Sequence, residues 1–252
     1  MQKQLMQITE KREIALDTVE MVLANKYISK HAVPGQFLHL LVPSHMLRRP
    51  ISITDVDKEN ESVTIVFKIL GAGTRQLATR QVGEAIDALG PNGNGFPLDM
   101  KCDSTVVLVG GGIGVPPLYY LARKLHEQEV NLFAVLGFQS KVHVFYEEKF
   151  QQLAQTIIVT NDGSYGKTGL VTDVLDNFTK PIHRYYTCGP VPMLSAVKRR
   201  LVNVEGYISL EERMGCGVGA CFACVIPTDH QGGYKKICQD GPVFSAKEVQ
   251  LQ

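Results

Sequence analysis

Between residues 1 and 98, apolar and polar positions alternate in short runs broken by glycine, proline and asparagine. EIALDTVEMVLA, QFLHLLV and SVTIVFKIL carry β-branched and apolar residues with partial period-two alternation, which predicts strands. Several short strands at this spacing predict a barrel or a sandwich. One helix is predicted among them, opening at Thr74 of GAGTRQLATR, where a threonine in the N-cap position follows two glycines. Near Asp99 the rhythm changes. TVVLVG is a continuous apolar run, as in a parallel strand buried on both faces, and GGIGVPPLYYLARKLHEQ follows with apolar residues at helical spacing. VNLFAVLGF, TIIVTND and RYYTCG then read as strands; FYEEKFQQLA, GLVTDVLDNF and VPMLSAVKRRLV read as helices. That alternation predicts an open parallel α/β sheet. From Gly206 onward strand signals are short and cysteines dominate. The pattern therefore predicts a multidomain chain: an antiparallel β-barrel over residues 1–98, a parallel-sheet α/β domain over 99–205 and a small cysteine module over 206–252. So small a tail buries too little apolar surface to fold alone, and a metal centre would help hold it.

Composition acts mainly by exclusion. With 44% hydrophobic and 20% charged residues, the 252-residue chain suits a globular protein with true cores. A formal net charge of +1 offers no general attraction to nucleic acid or anionic membrane. No run approaches the ~18–20 apolar residues of a membrane-crossing helix, and MQKQLMQITEKRE lacks the apolar core of a signal peptide. The expectation is a cytoplasmic chain with neither nucleic acid nor membrane as partner. In a reducing cytosol, clustered cysteines favour metal or redox chemistry over structural disulfides.

Half of the six cysteines lie in MGCGVGACFAC, and the full spacing is Cys216-x4-Cys221-x2-Cys224, then thirteen residues to Cys238. Structural zinc sites usually pair C-x2-C knuckles, a pairing that Cys216 and Cys238 lack. C-x4-C-x2-C with a distant fourth cysteine is the plant-type [2Fe–2S] spacing, leaving zinc as the alternative. Gly215, Gly217 and Gly219 remove Cβ atoms that would keep backbone N–H groups away from sulfur. Cys102 lies outside this pattern and reads as a structural thiol ahead of a buried strand.

Gly110–Pro117, GGGIGVPP, follows a buried strand and opens a helix. Gly111, Gly112 and Gly114 there suit a tight turn that lets a pyrophosphate approach the backbone at a helix N-terminus, or else simply an ordinary βα turn. Read from Gly112 the pattern is G-x-G-x-x-P, so the third glycine of the dinucleotide fingerprint is missing. After the next strand, LGFQSK offers Gln139 and Ser140 where an NAD-specific acid would stand, so this motif does not choose between NADH and NADPH. Cys188, Gly189 and Pro190 end a later strand, either as a wall of a nicotinamide pocket or as a buried thiol before a helix. In the barrel, Arg48-Arg49-Pro50-Ile51-Ser52-Ile53 offers a cation for a pyrophosphate and a hydroxyl for a ring heteroatom. Gly71-Ala72-Gly73-Thr74 offers a second helix N-terminus; a basic pair on a solvated surface and a plain turn are the competing readings. The seven histidines are scattered, and no acid–base pair for substrate chemistry stands out.

The order RPxS, GxGT, GGGIGxxP and CGP resembles the ferredoxin–NADP⁺ reductase superfamily. With EERMGCGVGACFAC after the nucleotide motifs, the whole chain resembles the electron-transfer subunits of class 1B dihydroorotate dehydrogenases. LRRPISI, LGFQSK, VFYEEKF and CQDGPVF belong to the same resemblance. It implies FAD in the barrel, NADH at the α/β sheet and [2Fe–2S] in the tail. Arg49, Pro50, Ile51 and Ser52 match the flavin-binding RPxS. Phe67, Lys68 and Ile69 match the strand along the flavin and its ribityl chain; Gly73 and Thr74 match the pyrophosphate turn. Cys216, Cys221, Cys224 and Cys238 match the cluster ligands one for one. Ala72 stands where an acidic residue is common, and the cluster follows the nucleotide domain rather than preceding the barrel. The implied role is to pass electrons to an FMN-containing dihydroorotate dehydrogenase catalytic subunit, in a heterotetramer of two plus two, for pyrimidine synthesis. The nearest alternative is the small subunit of an NAD(P)H–ferredoxin transhydrogenase or sulfide dehydrogenase.

Overall fold

The computed structural model describes residues 1–228 and 233–251. In the N-terminal part, β1 (Gln2–Ala15) and β2 (Thr18–Ala24) precede helix α1 (Lys26–His31), β3 (Phe37–Leu40), β4 (Arg49–Asp57) and β5 (Ser62–Lys68). Helix α2 (Ala72–Thr79) and β6 (Ala85–Asn92) follow. The six strands close as an antiparallel barrel in the order β1-β2-β5-β4-β3-β6. Alternation does the work expected of it: Val19, Met21 and Leu23 of β2, Leu38 and Leu40 of β3, and Val63, Ile65 and Phe67 of β5 all enter one core. EIALDTVEMVLA is two strands around a turn, with Asp17 in the left-handed region at φ 55°.

Two local expectations change. Helix α1 has no counterpart in the sequence reading, because its six residues are too few to show a period; the Asn25 side chain caps it by accepting from the Ile28 N–H at 2.8 Å. The second helix starts earlier than predicted, with Gly71 as its N-cap and Thr74 on its first turn. The Thr74 hydroxyl reaches back to accept from the N–H groups of Leu70 (3.0 Å) and Gly71 (3.2 Å).

The second half continues with β7 (Thr105–Gly111), α3 (Pro116–His126), β8 (Asn131–Phe138), α4 (Glu147–Gln151), β9 (Gln155–Thr160) and β10 (Lys167–Thr168). Then come α5 (Val171–Asp176), β11 (Arg184–Cys188), α6 (Val191–Arg200) and β12 (Glu205–Ser209). The sheet order is β10-β9-β8-β7-β11-β12, parallel throughout, as the βα alternation predicts. All of β7 is buried: Val107 and Val109 face α5 and α6 in one core, while Val106 and Leu108 face α3 in the other. The parallel strands run on to Ser209, past residue 205. The remaining elements are β13 (Val225–Pro227), β14 (Tyr234–Lys236), α7 (Ile237–Asp240) and β15 (Val243–Ser245). β15 returns to the main sheet and pairs antiparallel with β12, Ser209 opposite Val243.

Helix α3 seats the sheet on the barrel. Tyr120 is buried in the barrel core and its hydroxyl donates to the Ala32 carbonyl at 3.2 Å, and Arg123 pairs with Asp55 at 2.6 Å. Glu20 of β2, also buried, accepts from Lys149 at 3.2 Å and from the Tyr146 hydroxyl. Among the described residues no helix is long and apolar enough to cross a membrane.

Candidate functional site

A cleft of about 380 Å³ opens where the three parts of the chain meet. Pro50, Ile51 and Ser52 of β4 and Phe67 and Lys68 of β5 form its barrel wall. Ile113 enters from the turn after β7, and Leu210 to Met214 close the far side. The walls are mainly apolar, with Ser52 and Glu211 facing each other: the Ser52 hydroxyl donates to the Glu211 carboxylate at 3.3 Å. Glu211 opens into the cleft, yet its crowded walls desolvate the carboxyl and push it up to about 7, the Ser52 hydroxyl pulling the other way. Such a slot suits a flat aromatic ring with a few polar edge atoms.

At one end of the cleft lie Leu70 and Thr74, and here the two adjacent arginines part company. Arg48 is spent on the outer face of the barrel, paired with Asp87 at 2.7 Å and donating to the His39 carbonyl at 3.1 Å. Arg49 turns to the start of α2, its guanidinium lying directly over Gly73. A Cβ on Gly73 would stand 2.2 Å from Arg49 Nε, so only glycine admits this contact. An arginine fork beside a helix N-terminus is a fit for a diphosphate. Ile69 is half-buried against the barrel core rather than on the cleft wall.

The two glycine-bearing loops of the sheet also come together. β11 lies beside β7, with Cys188 opposite Gly110, while β8 and β9 extend the other way. The loops after β7 and β11 therefore flank the switch point, where open α/β sheets bind ligands. Gly114 packs on the Cys188 carbonyl, 2.3 Å from where its Cβ would be, and Gly111 packs on Met193. Gly112 takes φ +53° with open space around it. Cys188 is fully buried, and burial, followed by the Glu211 charge, raises its thiol well above the ordinary value. It thus presents a neutral thiol beside the cleft, with Gly189 and the exposed Pro190 at the loop surface.

The four clustered cysteines converge as two pairs. The thiols of Cys216 and Cys221 lie within hydrogen-bond reach of each other, as do those of Cys224 and Cys238. Backbone N–H groups point at the sulfurs: Val218 (3.4 Å) and Cys221 (3.3 Å) donate to Cys216, Cys216 (3.5 Å) to Cys221, and Gly219 (3.2 Å) to Cys238. Burial opposes ionisation of Cys216, but these donors outweigh it and hold the thiol at about 6. Cys238 is pushed upward by burial and by Cys224. Among the described residues no three His, Cys, Asp or Glu side chains gather around a single-ion position. Two thiol pairs in a nest of N–H donors fit a two-iron, sulfide-bridged cluster with two cysteines on each iron. Cys102 stands apart, exposed beside Glu129.

Two residues of this region escape a reading by motif. Glu211 meets Ser52 across 159 residues of sequence, although it stands in the quoted EERM segment. His39 lies in the apolar run QFLHLLV and reaches the cluster loop only through the fold.

The model of the iron-sulfur cluster binding domain of dihydroorotate dehydrogenase B matches residues 211–250. A Bacillus cereus (strain B4264) protein named dihydroorotate dehydrogenase B (NAD(+)), electron transfer subunit, is 49% identical over 260 residues, covering 100% of both chains. The chain belongs to this family. The electron transfer subunit of that name from Shouchella clausii (strain KSM-K16) is 50% identical, covering 97% of this chain and 96% of its own. Among solved structures similar to this electron transfer subunit family member is a chain of an NADH-dependent reduced ferredoxin–NADP oxidoreductase, described for flavin-based electron bifurcation. It aligns with TM-score 0.89 and 31% identity over 98% of this chain and 90% of that one. An Amycolatopsis cytochrome P450 reductase shares the fold alone, with TM-score 0.67 and 21% identity over 79% of this chain and 66% of that one.

Proposed function

We propose that the chain carries electrons between NAD(H) and a catalytic partner that interconverts dihydroorotate and orotate in pyrimidine biosynthesis, by way of FAD and a [2Fe–2S] cluster. The observation that carries this reading is the shared cleft: Ile113 from the nucleotide turn and Met214 from the cluster loop line the same slot as Pro50–Ser52. When bound, NADH supplies two electrons as hydride, FAD takes up two and releases them singly, and the cluster accepts one at a time.

The residues divide this work. Arg49, Gly73 and Thr74 hold the FAD diphosphate at the start of α2. Pro50, Ile51 and Ser52 with Phe67 and Lys68 hold the ring and its ribityl chain, and Ile69 backs that wall from the barrel core. Gly111, Gly112 and Gly114 hold the nicotinamide nucleotide opposite Cys188, Gly189 and Pro190, and Ile113 keeps water from the ring. Cys216 and Cys221 take one iron, Cys224 and Cys238 the other. Residues 1–98, 99–205 and 206–252 then serve flavin, nucleotide and cluster in turn. No residue is assigned a catalytic proton transfer.

The partner is an FMN-bearing catalytic subunit, in a cytoplasmic assembly of two plus two. Val218, Phe222, Val225 and Tyr234 of the cluster module are exposed, with the Phe222 and Tyr234 rings 5.4 Å apart. They form the docking face for that partner, whose existence the name of the relatives implies. The 31% likeness to the NADH-dependent ferredoxin–NADP oxidoreductase chain supports flavin and nicotinamide electron transfer, and the 49% identity over the full chain favours dihydroorotate chemistry. The test is orotate reduction by NADH with the isolated chain and with the co-expressed pair. Turnover only in the pair supports the reading; co-purification with a multi-cluster flavoprotein instead would sink it.

A further inference from the structure

His39 has 0% of its surface exposed, and neither ring nitrogen has a hydrogen-bond partner among the described residues. A buried, unpaired imidazole is costly unless something at the site uses it. Along β3, Leu38 and Leu40 enter the barrel core, whereas Phe37 and His39 point out of it. Phe37 packs in the core that also contains Met214, Cys224 and Cys238. The Nδ1 edge of His39 lies against Gly217, the residue between Cys216 and Val218, whose amide donates to the Cys216 sulfur. A Cβ on Gly217 would stand 2.2 Å from His39 Nδ1 and 2.6 Å from Cε1, and Gly217 has φ +69°. The barrel thus requires glycine at this point of the loop as firmly as the loop's own turn does. On its other side His39 is opposite Pro50, in the strand that walls the cleft. Neutral or protonated, the imidazole keeps at least one ring N–H to donate.

We propose that His39 supplies the cluster with a hydrogen bond from outside its own loop, a ring N–H directed to sulfur on the Cys216 side. It is a positioning residue: it ties the cluster to the flavin-binding strand and raises the cluster's reduction potential, since N–H donors favour the more negative reduced form. This rests on the [2Fe–2S] reading of the four cysteines.

The test uses the chain co-purified with its partner and carrying histidine labelled with ¹⁵N in the ring. Pulsed electron spin resonance of the reduced cluster should show a ¹⁵N coupling, which His39→Phe abolishes. In the same pair, His39→Phe should shift the cluster to lower potential with iron and flavin contents unchanged, and His39→Gln should recover part of the shift. No ¹⁵N coupling in the wild-type protein overturns the proposal, even if His39→Phe fails to accumulate. So does a fully loaded His39→Phe protein with unaltered potential. A wild-type protein with no reduced-cluster signal at all would instead overturn the [2Fe–2S] reading, and this proposal with it.

Discussion

The barrel wall of the cleft is made of strands packed on a hydrophobic core, whereas the stretch from Gly215 to Cys224 contains neither helix nor strand. Ser52 and Phe67 are placed by a closed barrel and Ile113 by a buried βα turn. Cys216 and Cys221 are placed by glycine turns and by backbone N–H groups aimed at sulfur, whereas Cys238 is held on α7 by the core and receives one such N–H from Gly219. One site is set by packing and precedes its ligand. The other is set by donors to sulfur, and its order is completed by what the thiolates bind. Damage to either should therefore spread differently.

The most complete effect is expected from Cys221→Ser. It removes one cluster ligand, and iron analysis should show loss of the cluster, while NADH still reduces the flavin in the packed part of the molecule. Loss of both functions would deny that the two regions are independent. Arg49→Ala tests the packed region. Hydrogen bonds to a charged group contribute about 1.5–3 kcal/mol, so FAD affinity should fall roughly 10–100-fold, with the iron content unchanged. Flavin titration of the purified variant would show it. Next, Phe222→Asp places a charge on the exposed face of the cluster loop. Partner affinity measured by sedimentation should fall by about tenfold, as for a moderate interface contact, with the visible spectrum retained.

The smallest effect concerns Glu211, at the rim between the two regions. Its carboxyl sits at about 7 in the fold against an ordinary 4.5, so the folded chain holds this proton more tightly than the unfolded chain. Stability from this group is complete below about 4.5 and is lost as pH rises through about 7. Between pH 5 and 8 the denaturation midpoint of the flavin-free chain should therefore fall, and Glu211→Gln should flatten that slope. An unchanged slope would show that the cleft walls do not desolvate Glu211.

The packed region was the more legible in sequence. Strand alternation and βα rhythm follow from burial on one face or on both, and both are local patterns. The thiol spacing was legible for a different reason, since the chain must return each sulfur to the same metal centre within a few residues. What escaped was set by distant pairing. Nothing near CQDGPVF announces that Val243–Ser245 will join the nucleotide sheet. Thr74 looks like an N-cap until the Gly71 backbone is seen to take that position. His39 is one more member of a strand until Gly217, 178 positions later, is laid against it.

The return of β15 to the side of β12 has a mechanical consequence. The chain leaves the sheet at Ser209 and rejoins it at Val243, directly opposite, so the intervening residues hang from a closed neck. The cluster module is thereby joined through the chain to the nucleotide sheet, while Phe37 and His39 pack it against the barrel. The points where electrons enter and leave thus ride on one sheet, and the contact of Gly217 with His39 keeps both in step with the flavin's seat.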